Sequence, residues 1–192
     1  MEKASLSTIL RGSGTVFTFR DILLASGETS PASLKRRINY YVQRRELHPI
    51  RRGVYAKSKN YDRLELAIKI YTPAYISFET VLADTGMIFQ HYNQIFVASY
   101  LSREITCDGH PYVFRRIKNT ALMNTFGVER KGNSFIASKE RAFLDTIYLR
   151  REYHFDNLSS LDWERCAEIL PIYDNQAMAG RLRSYQKLAP HA

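Results

Sequence analysis

The sequence holds little that could cross-link it, anchor it or bind a metal. Only two cysteines, Cys107 and Cys166, stand in 192 residues, isolated from each other, so no disulfide framework is expected. His48, His91, His110, His154 and His191 are scattered. None stands at ligand spacing to a cysteine or another histidine, so neither a metal nor a cofactor is expected. No apolar run approaches the roughly 18 residues of a membrane span. The N-terminus carries no apolar signal segment, and the expected location is the cytoplasm. Gly-x-Ser-x-Gly and glycine-rich phosphate loops are absent, and neither cysteine has a histidine partner at a telling spacing. These gaps exclude the common nucleophilic and phosphate-loop enzymes, and the chain reads as a non-enzyme. Internal repeats and low-complexity tracts are also missing.

Acidic residues are scarce in one place only. Residues 1–59 hold 12 Lys/Arg against 4 Asp/Glu, a net +8, while residues 60–192 hold 16 against 15, a net +1. Almost the whole excess of +9 therefore sits on the first third. Such asymmetry is the footprint of a nucleic-acid-binding module joined to a near-neutral one. A hydrophobic content of 45%, with 13 Tyr and 10 Phe, suffices for an aromatic-rich core.

The basic third has the pattern of helices followed by a hairpin. Residues 4–10 can form a short helix, ended by Arg11-Gly12-Ser13-Gly14, and Val16-Phe17 a small strand. Thr18 is placed to cap a helix over Phe19–Ala25, with Gly27 at its C′ position. Ser30 and Pro31 begin the next helix. Its apolar stripe is Leu34, Ile38, Tyr41 and Val42. At 100° per residue the opposite face carries Ala32, Arg36, Asn39, Tyr40 and Gln43, flanked by Ser33 and Arg44. Leu47–Arg51 and Val54–Lys57 then read as strands joined through Arg52-Gly53. A small, basic, hydrogen-bonding helix face followed by a basic hairpin is what a winged helix-turn-helix requires. The expected DNA-binding set is Ser33, Lys35, Arg36, Arg37, Asn39, Tyr40, Arg44, Arg51 and Arg52. The competing reading, a merely solvated charged face, does not account for the coincidence of cap, apolar stripe, Arg-Arg-Gly tip and charge asymmetry.

Beyond a junction near Asn60–Arg63 the pattern is α+β. Leu64–Ile70 is apolar at helical spacing, and Pro73 stops it. Ser77 reads as the cap of a helix with Phe78, Val81 and Leu82 inward and Gly86 at its exit. Strands follow at Ile95–Ala98, at Arg103–Cys107 and Pro111–Lys118 around Asp108-Gly109, and at Phe126–Arg130 and Ser134–Ala137 around Gly132-Asn133. Ser138 caps a helix over Lys139–Arg150, with Ala142, Phe143, Ile147 and Leu149 mostly inward. Ser159 or Ser160 begins another helix through Leu170, and a last one runs from about Asn175 to Lys187. The fold expected is α+β: an N-terminal winged helix-turn-helix over 1–59, then a mixed α/β domain over 60–192 with antiparallel hairpins and flanking helices.

Two further groups bear on function. Asp108, Glu129 and Lys131 imitate the order of some metal-dependent nucleases, which need clustered carboxylates and a lysine near the attacked phosphate. Turn chemistry explains Asp108 and Lys131 without a metal. Arg115, Arg116, Lys118, Arg150 and Arg151 are candidates for a second basic face, against the plainer reading of solubility charges.

The order of these segments resembles the antitoxins of the AbiEi type, from type IV (abortive-infection) toxin–antitoxin systems. Arg45-Glu46-Leu47 with Ile50-Arg51-Arg52-Gly53-Val54-Tyr55-Ala56 is similar to the end of that family's N-terminal domain. YISFETVLADTGMI, residues 75–88, resembles its next capped helix, and GVERKGNSFIASKERAFLDTIYLR, residues 127–150, its strand–strand–helix segment. At Phe78-Glu79-Thr80-Val81 the chain departs from the alanine usual there. The resemblance, over about residues 5–150, implies a bacterial antitoxin that binds repeated operator sequences in double-stranded DNA and represses its own operon. It also implies that the C-terminal domain counters a nucleotidyltransferase-like toxin without a stable complex. The alternatives are a winged-helix regulator with no toxin partner and the nuclease just described.

Overall fold

The computed structural model describes residues 11–189, so the helix expected over residues 4–10 lies outside them. The chain divides into two units, Met1–Ile70 and Tyr71–Ala192, and its architecture is α+β.

In the first unit, β1 (Val16–Thr18) leads directly into α1 (Phe19–Ser26). Thr18 caps α1 reciprocally. Its hydroxyl accepts from the Asp21 amide at 3.0 Å, and the Asp21 carboxylate accepts from the Thr18 amide at 2.9 Å. Gly27, at φ 60°, ends the helix in the left-handed conformation. α2 (Pro31–Gln43) starts under the Ser30 hydroxyl, which accepts from the Ser33 amide. Leu34 and Ile38 on α2 are fully buried against Phe17, Ile22 and Leu47, while Tyr41 and Val42 pack at the margin. β2 (His48–Arg51) and β3 (Val54–Ala56) form the hairpin, with Gly53 at φ 77° in its turn. The three strands make an antiparallel sheet in the order β1-β3-β2.

The unit extends one helix beyond the junction expected at residues 59 and 60. On α3 (Arg63–Ile70) the buried Glu65 carboxylate accepts from both the amide and the hydroxyl of Thr15, at 2.8 and 2.6 Å. Lys69 pairs with Asp21 at 2.7 Å. Polar side chains on α3 thus complete the module, which its apolar spacing alone did not disclose. The charge split survives the shift. Residues 1–70 hold 14 Lys/Arg and 6 Asp/Glu, still +8.

The second unit is built on a six-stranded mixed sheet in the order β6-β7-β5-β4-β9-β8. Its strands are β4 (Ala74–Ile76), β5 (Ile95–Ser99), β6 (Arg103–Cys107), β7 (His110–Arg116), β8 (Val128–Lys131) and β9 (Ser134–Ala137). The two hairpins expected at Asp108-Gly109 and Gly132-Asn133 are present. The three-residue β4, absent from the sequence reading, is central, antiparallel to β5 and parallel to β9. The helices are α4 (Glu79–Asp84), α5 (Asn119–Leu122), α6 (Lys139–Leu149), α7 (Trp163–Ile169), followed by a 3₁₀ turn over Leu170–Tyr173, and α8 (Gln176–Leu188).

Several caps differ from expectation. Ser77 does not cap α4. Its hydroxyl donates to Asp145 at 2.7 Å, and Phe78 enters the helix at φ 54° without a side-chain cap. α7 begins neither at Ser159 nor at Ser160 but after Asp162, whose carboxylate accepts from the Arg165 amide at 3.0 Å. Leu149, expected inward, is exposed.

The inner face of α6 also buries charge. Arg141 and Asp145 are one helical turn apart, and neither side chain touches solvent. Arg141 donates to the Tyr75 hydroxyl at 2.8 Å and to the carbonyls of Ala121 and Phe126 at 2.6 and 2.9 Å. Asp145 accepts from the hydroxyls of Tyr75, Ser77 and Tyr173 at 2.9, 2.7 and 2.6 Å. Burial and the Asp145 charge push the Tyr75 and Tyr173 phenols well above their usual range, so both remain donors. Gly127, at φ 76°, lies against this network. A Cβ there would stand 2.9 Å from Ile169 and 3.1 Å from the Arg141 Cβ, which leaves no room for a side chain.

Candidate nucleic-acid interface

The outer face of α2 is a continuous exposed stripe. Ala32, Lys35, Arg36, Asn39, Tyr40 and Gln43 recur at three- and four-residue steps and are all exposed. Lys35, Arg36 and Asn39 make no side-chain hydrogen bond or ion pair among the described residues. Leu34 and Ile38, buried on the other side, fix the rotation of the helix about its axis and so decide which residues point outward.

The remaining expected residues are not equivalent. Ser33 is half-buried in the first turn. Arg37 lies 3.4 Å from Glu28. Arg44 donates to Glu46 at 2.6 Å and to the Tyr40 hydroxyl at 2.9 Å, with its guanidinium 5.4 Å from the Tyr40 ring centroid. Those bonds, to Glu46 first and Tyr40 second, raise the Arg44 pKa above its usual value. Arg37 and Arg44 are therefore held by their own chain's carboxylates and carry less free charge than the sequence implies. Tyr40 stays about half exposed, its ring edge-on to Tyr41.

On the hairpin, Arg51 is half-buried and Arg52 exposed beside Gly53. The Phe19 amide donates to the Gly53 carbonyl at 2.8 Å, tying the hairpin turn to the start of α1. The turn thus cannot swing freely relative to the helices. Arg45, at φ 60°, closes α2 in the left-handed conformation, a role usually given to glycine. Its amide donates to the Val42 carbonyl there.

The residues proposed for other roles are dispersed. Asp108 sits in the β6–β7 turn at φ 52°, whereas Glu129 and Lys131 lie on β8, at the opposite edge of the sheet. Four inter-strand steps separate β7 from β8, about 19 Å at 4.8 Å each, so the three cannot share a metal. Among the described residues no group of three His, Cys, Asp or Glu is placed to hold one. The second basic face is also broken up. Arg115 and Arg116 are consecutive on β7 and point to opposite faces of the sheet. Arg115 is engaged by the buried Glu79, which Arg150 also approaches, and Lys118 pairs with Asp174. Arg116 and Arg151 are exposed.

Both cysteines are buried and neither forms a disulfide, and burial pushes the Cys166 thiol far above its usual range, which leaves it inert. No helix among the described residues is long and apolar enough to cross a membrane. Compared with known proteins, the chain matches no family model and no curated protein.

Proposed function

We propose that the chain is a DNA-binding antitoxin of the AbiEi type, acting in the cytoplasm as repressor of its own operon and as antagonist of a nucleotidyltransferase-like toxin. In this reading residues 1–70 are a winged helix-turn-helix. α2 enters the major groove of double-stranded DNA, and the β2–β3 hairpin follows the backbone. Arg36 reaches the O6 and N7 acceptors of a guanine, Asn39 has the carboxamide that pairs with adenine, and Tyr40 offers an apolar ring edge. Arg51 and Arg52 neutralise phosphates.

The observation that carries the proposal is the exposed stripe Lys35, Arg36, Asn39 and Tyr40, of which the first three are unsatisfied among the described residues, set on a unit of net charge +8. The near-neutral second unit is the part assigned to toxin antagonism, which rests on the family resemblance of residues 75–88 and 127–150. The antagonism works without a stable complex between the two proteins.

Co-expression with the neighbouring gene tests the whole reading. Induction of that gene alone should arrest growth, and the intact chain should restore it. A promoter fusion to the upstream DNA should be repressed in the same cells. Repression without any growth rescue would favour the alternative, a regulator with no toxin partner. The separation of Asp108 from Glu129 and Lys131 counts against the nuclease.

A further inference from the structure

The end of α2 has a backbone that suits glycine better than the residue it holds. The Arg45 amide donates to the Val42 carbonyl at 3.0 Å and the Glu46 amide to the Tyr41 carbonyl at 2.9 Å. This pair of bonds closes a helix through one left-handed residue, and Arg45 supplies it at φ 60°. The same pair closes α4, from the Gly86 amide to the Ala83 carbonyl at 3.1 Å and from the Met87 amide to the Leu82 carbonyl at 2.9 Å. There the left-handed residue is a glycine, Gly86, at φ 69°. A side chain in this conformation crowds its own backbone, a cost that glycine avoids.

The other non-glycine residues at positive φ, Phe78, Asp108 and Asp174, have evident reasons. Aspartate tolerates the conformation, and Asp174 also pairs with Lys118 at 2.7 Å. Phe78 is fully buried, so packing enforces its backbone. Arg45 is exposed, and its guanidinium makes no hydrogen bond or ion pair among the described residues. No contact there offsets its backbone cost. A cation is welcome at any helix C-terminus, but Arg44 already stands in that place as the cap.

Position and charge supply a reason from outside the chain. α2 has 13 residues, which at 1.5 Å each gives about 20 Å. A major groove is only about 12 Å wide, so a helix laid in it brings its end to the flanking phosphates. The partial negative charge of a helix C-terminus repels a phosphate. Arg44 is poorly placed to reverse this, because its guanidinium is held by Glu46 at 2.6 Å. The next residue, Arg45, carries the free charge.

We propose that Arg45 binds a backbone phosphate of the DNA where α2 leaves the major groove. The inference rests on the DNA-binding reading and adds a contact that belongs neither to the helix face nor to the hairpin. Arginine stands in a glycine position because its charge is needed beyond the helix end. The contact fixes the helix along the groove and carries no base information.

The test uses the full-length protein, with fluorescence anisotropy on the DNA upstream of the gene and on a scrambled duplex, each over a range of salt. Arg45→Gly should weaken both duplexes alike, about fivefold at 0.15 M salt, and flatten the slope of log K against log salt by about one. Arg45→Lys keeps the charge and should retain the slope. Arg45→Gly also relieves the backbone, so its melting temperature by circular dichroism should be no lower than that of the unmodified chain. Weaker binding without loss of stability is a result that misfolding cannot produce. If the unmodified protein binds with a salt-dependent slope and Arg45→Gly changes neither affinity nor slope, the contact is overturned and the DNA reading stands. A lower melting temperature for Arg45→Gly would mean that the side chain serves the helix end, and would overturn the contact as well. Absence of salt-dependent binding by the unmodified protein would overturn the DNA reading itself, and this contact with it.

Discussion

The Glu65 carboxylate accepts two hydrogen bonds from Thr15, one from its amide and one from its hydroxyl. This pair joins α3 to the segment before β1 and makes the helix part of the basic unit. A fragment of residues 1–70 should therefore fold, while one of residues 1–59 should lose helical signal and melting cooperativity. Glu65→Ala in the longer fragment leaves the half-buried Thr15 donors without their carboxylate, a loss of about 1–3 kcal/mol. Circular dichroism with urea titration decides the point. Equal stability of the two fragments would detach α3 from the module.

Asp21 links the same unit to pH. Burial raises its pKa, but the Lys69 ammonium and the Thr18 amide outweigh that and lower it below the usual 3.8. A depressed native pKa means that the contribution to stability is fully present above the unfolded value. It is lost as pH falls through the native one. Stability of the 1–70 fragment should thus decline below about pH 4, and Asp21→Asn should flatten that decline. Urea midpoints measured from pH 5 to pH 2 give the comparison. Parallel curves for the two proteins would remove Asp21 from the account.

Arg141 and Asp145 make a separate prediction for the second unit. Arg141→Ala leaves a buried carboxylate without its cation and should cost about 3–5 kcal/mol. Trp163, the only tryptophan, lies in this unit with its ring 6.0 Å from Phe143 and reports unfolding there. Its fluorescence midpoint in urea should fall sharply, while DNA affinity, assigned to residues 1–70, should persist wherever the second unit alone has melted. Loss of DNA binding in step with the Trp163 transition would contradict that division.

What the sequence discloses and what it hides follow from range. The Thr18–Asp21 box, the Ser30-Pro31 start and the Leu34–Ile38 stripe are local, and each lies where spacing places it. Both second-unit hairpins are signalled by their own turn residues. β4 is only three residues long and holds no period of its own; pairing with β5 and β9 creates it. Ser77 looks like a cap because capping is its commonest local use, but a carboxylate 68 positions away takes its hydroxyl. The burial of Arg141 and Asp145 on α6 leaves no mark in the sequence, since nothing near them announces Tyr75 or Tyr173. The candidate interface was legible as a face, whereas the engagement of Arg37 by Glu28 and Arg44 by Glu46 depends on side-chain geometry.

The central claim is that the exposed face of α2 reads sequence while the hairpin holds the backbone. The most direct measurement is fluorescence anisotropy with the DNA upstream of the gene and a scrambled duplex, each over a range of salt. With about four to six phosphate contacts, log K for the unmodified protein should fall against log salt with a slope of roughly −4 to −5. Arg36→Ala should shrink the gap between the two duplexes by about 1–3 kcal/mol. Arg52→Ala should weaken both duplexes alike and reduce the slope by about one. Equal loss of discrimination in the two variants, or undiminished discrimination in Arg36→Ala, would contradict the claim.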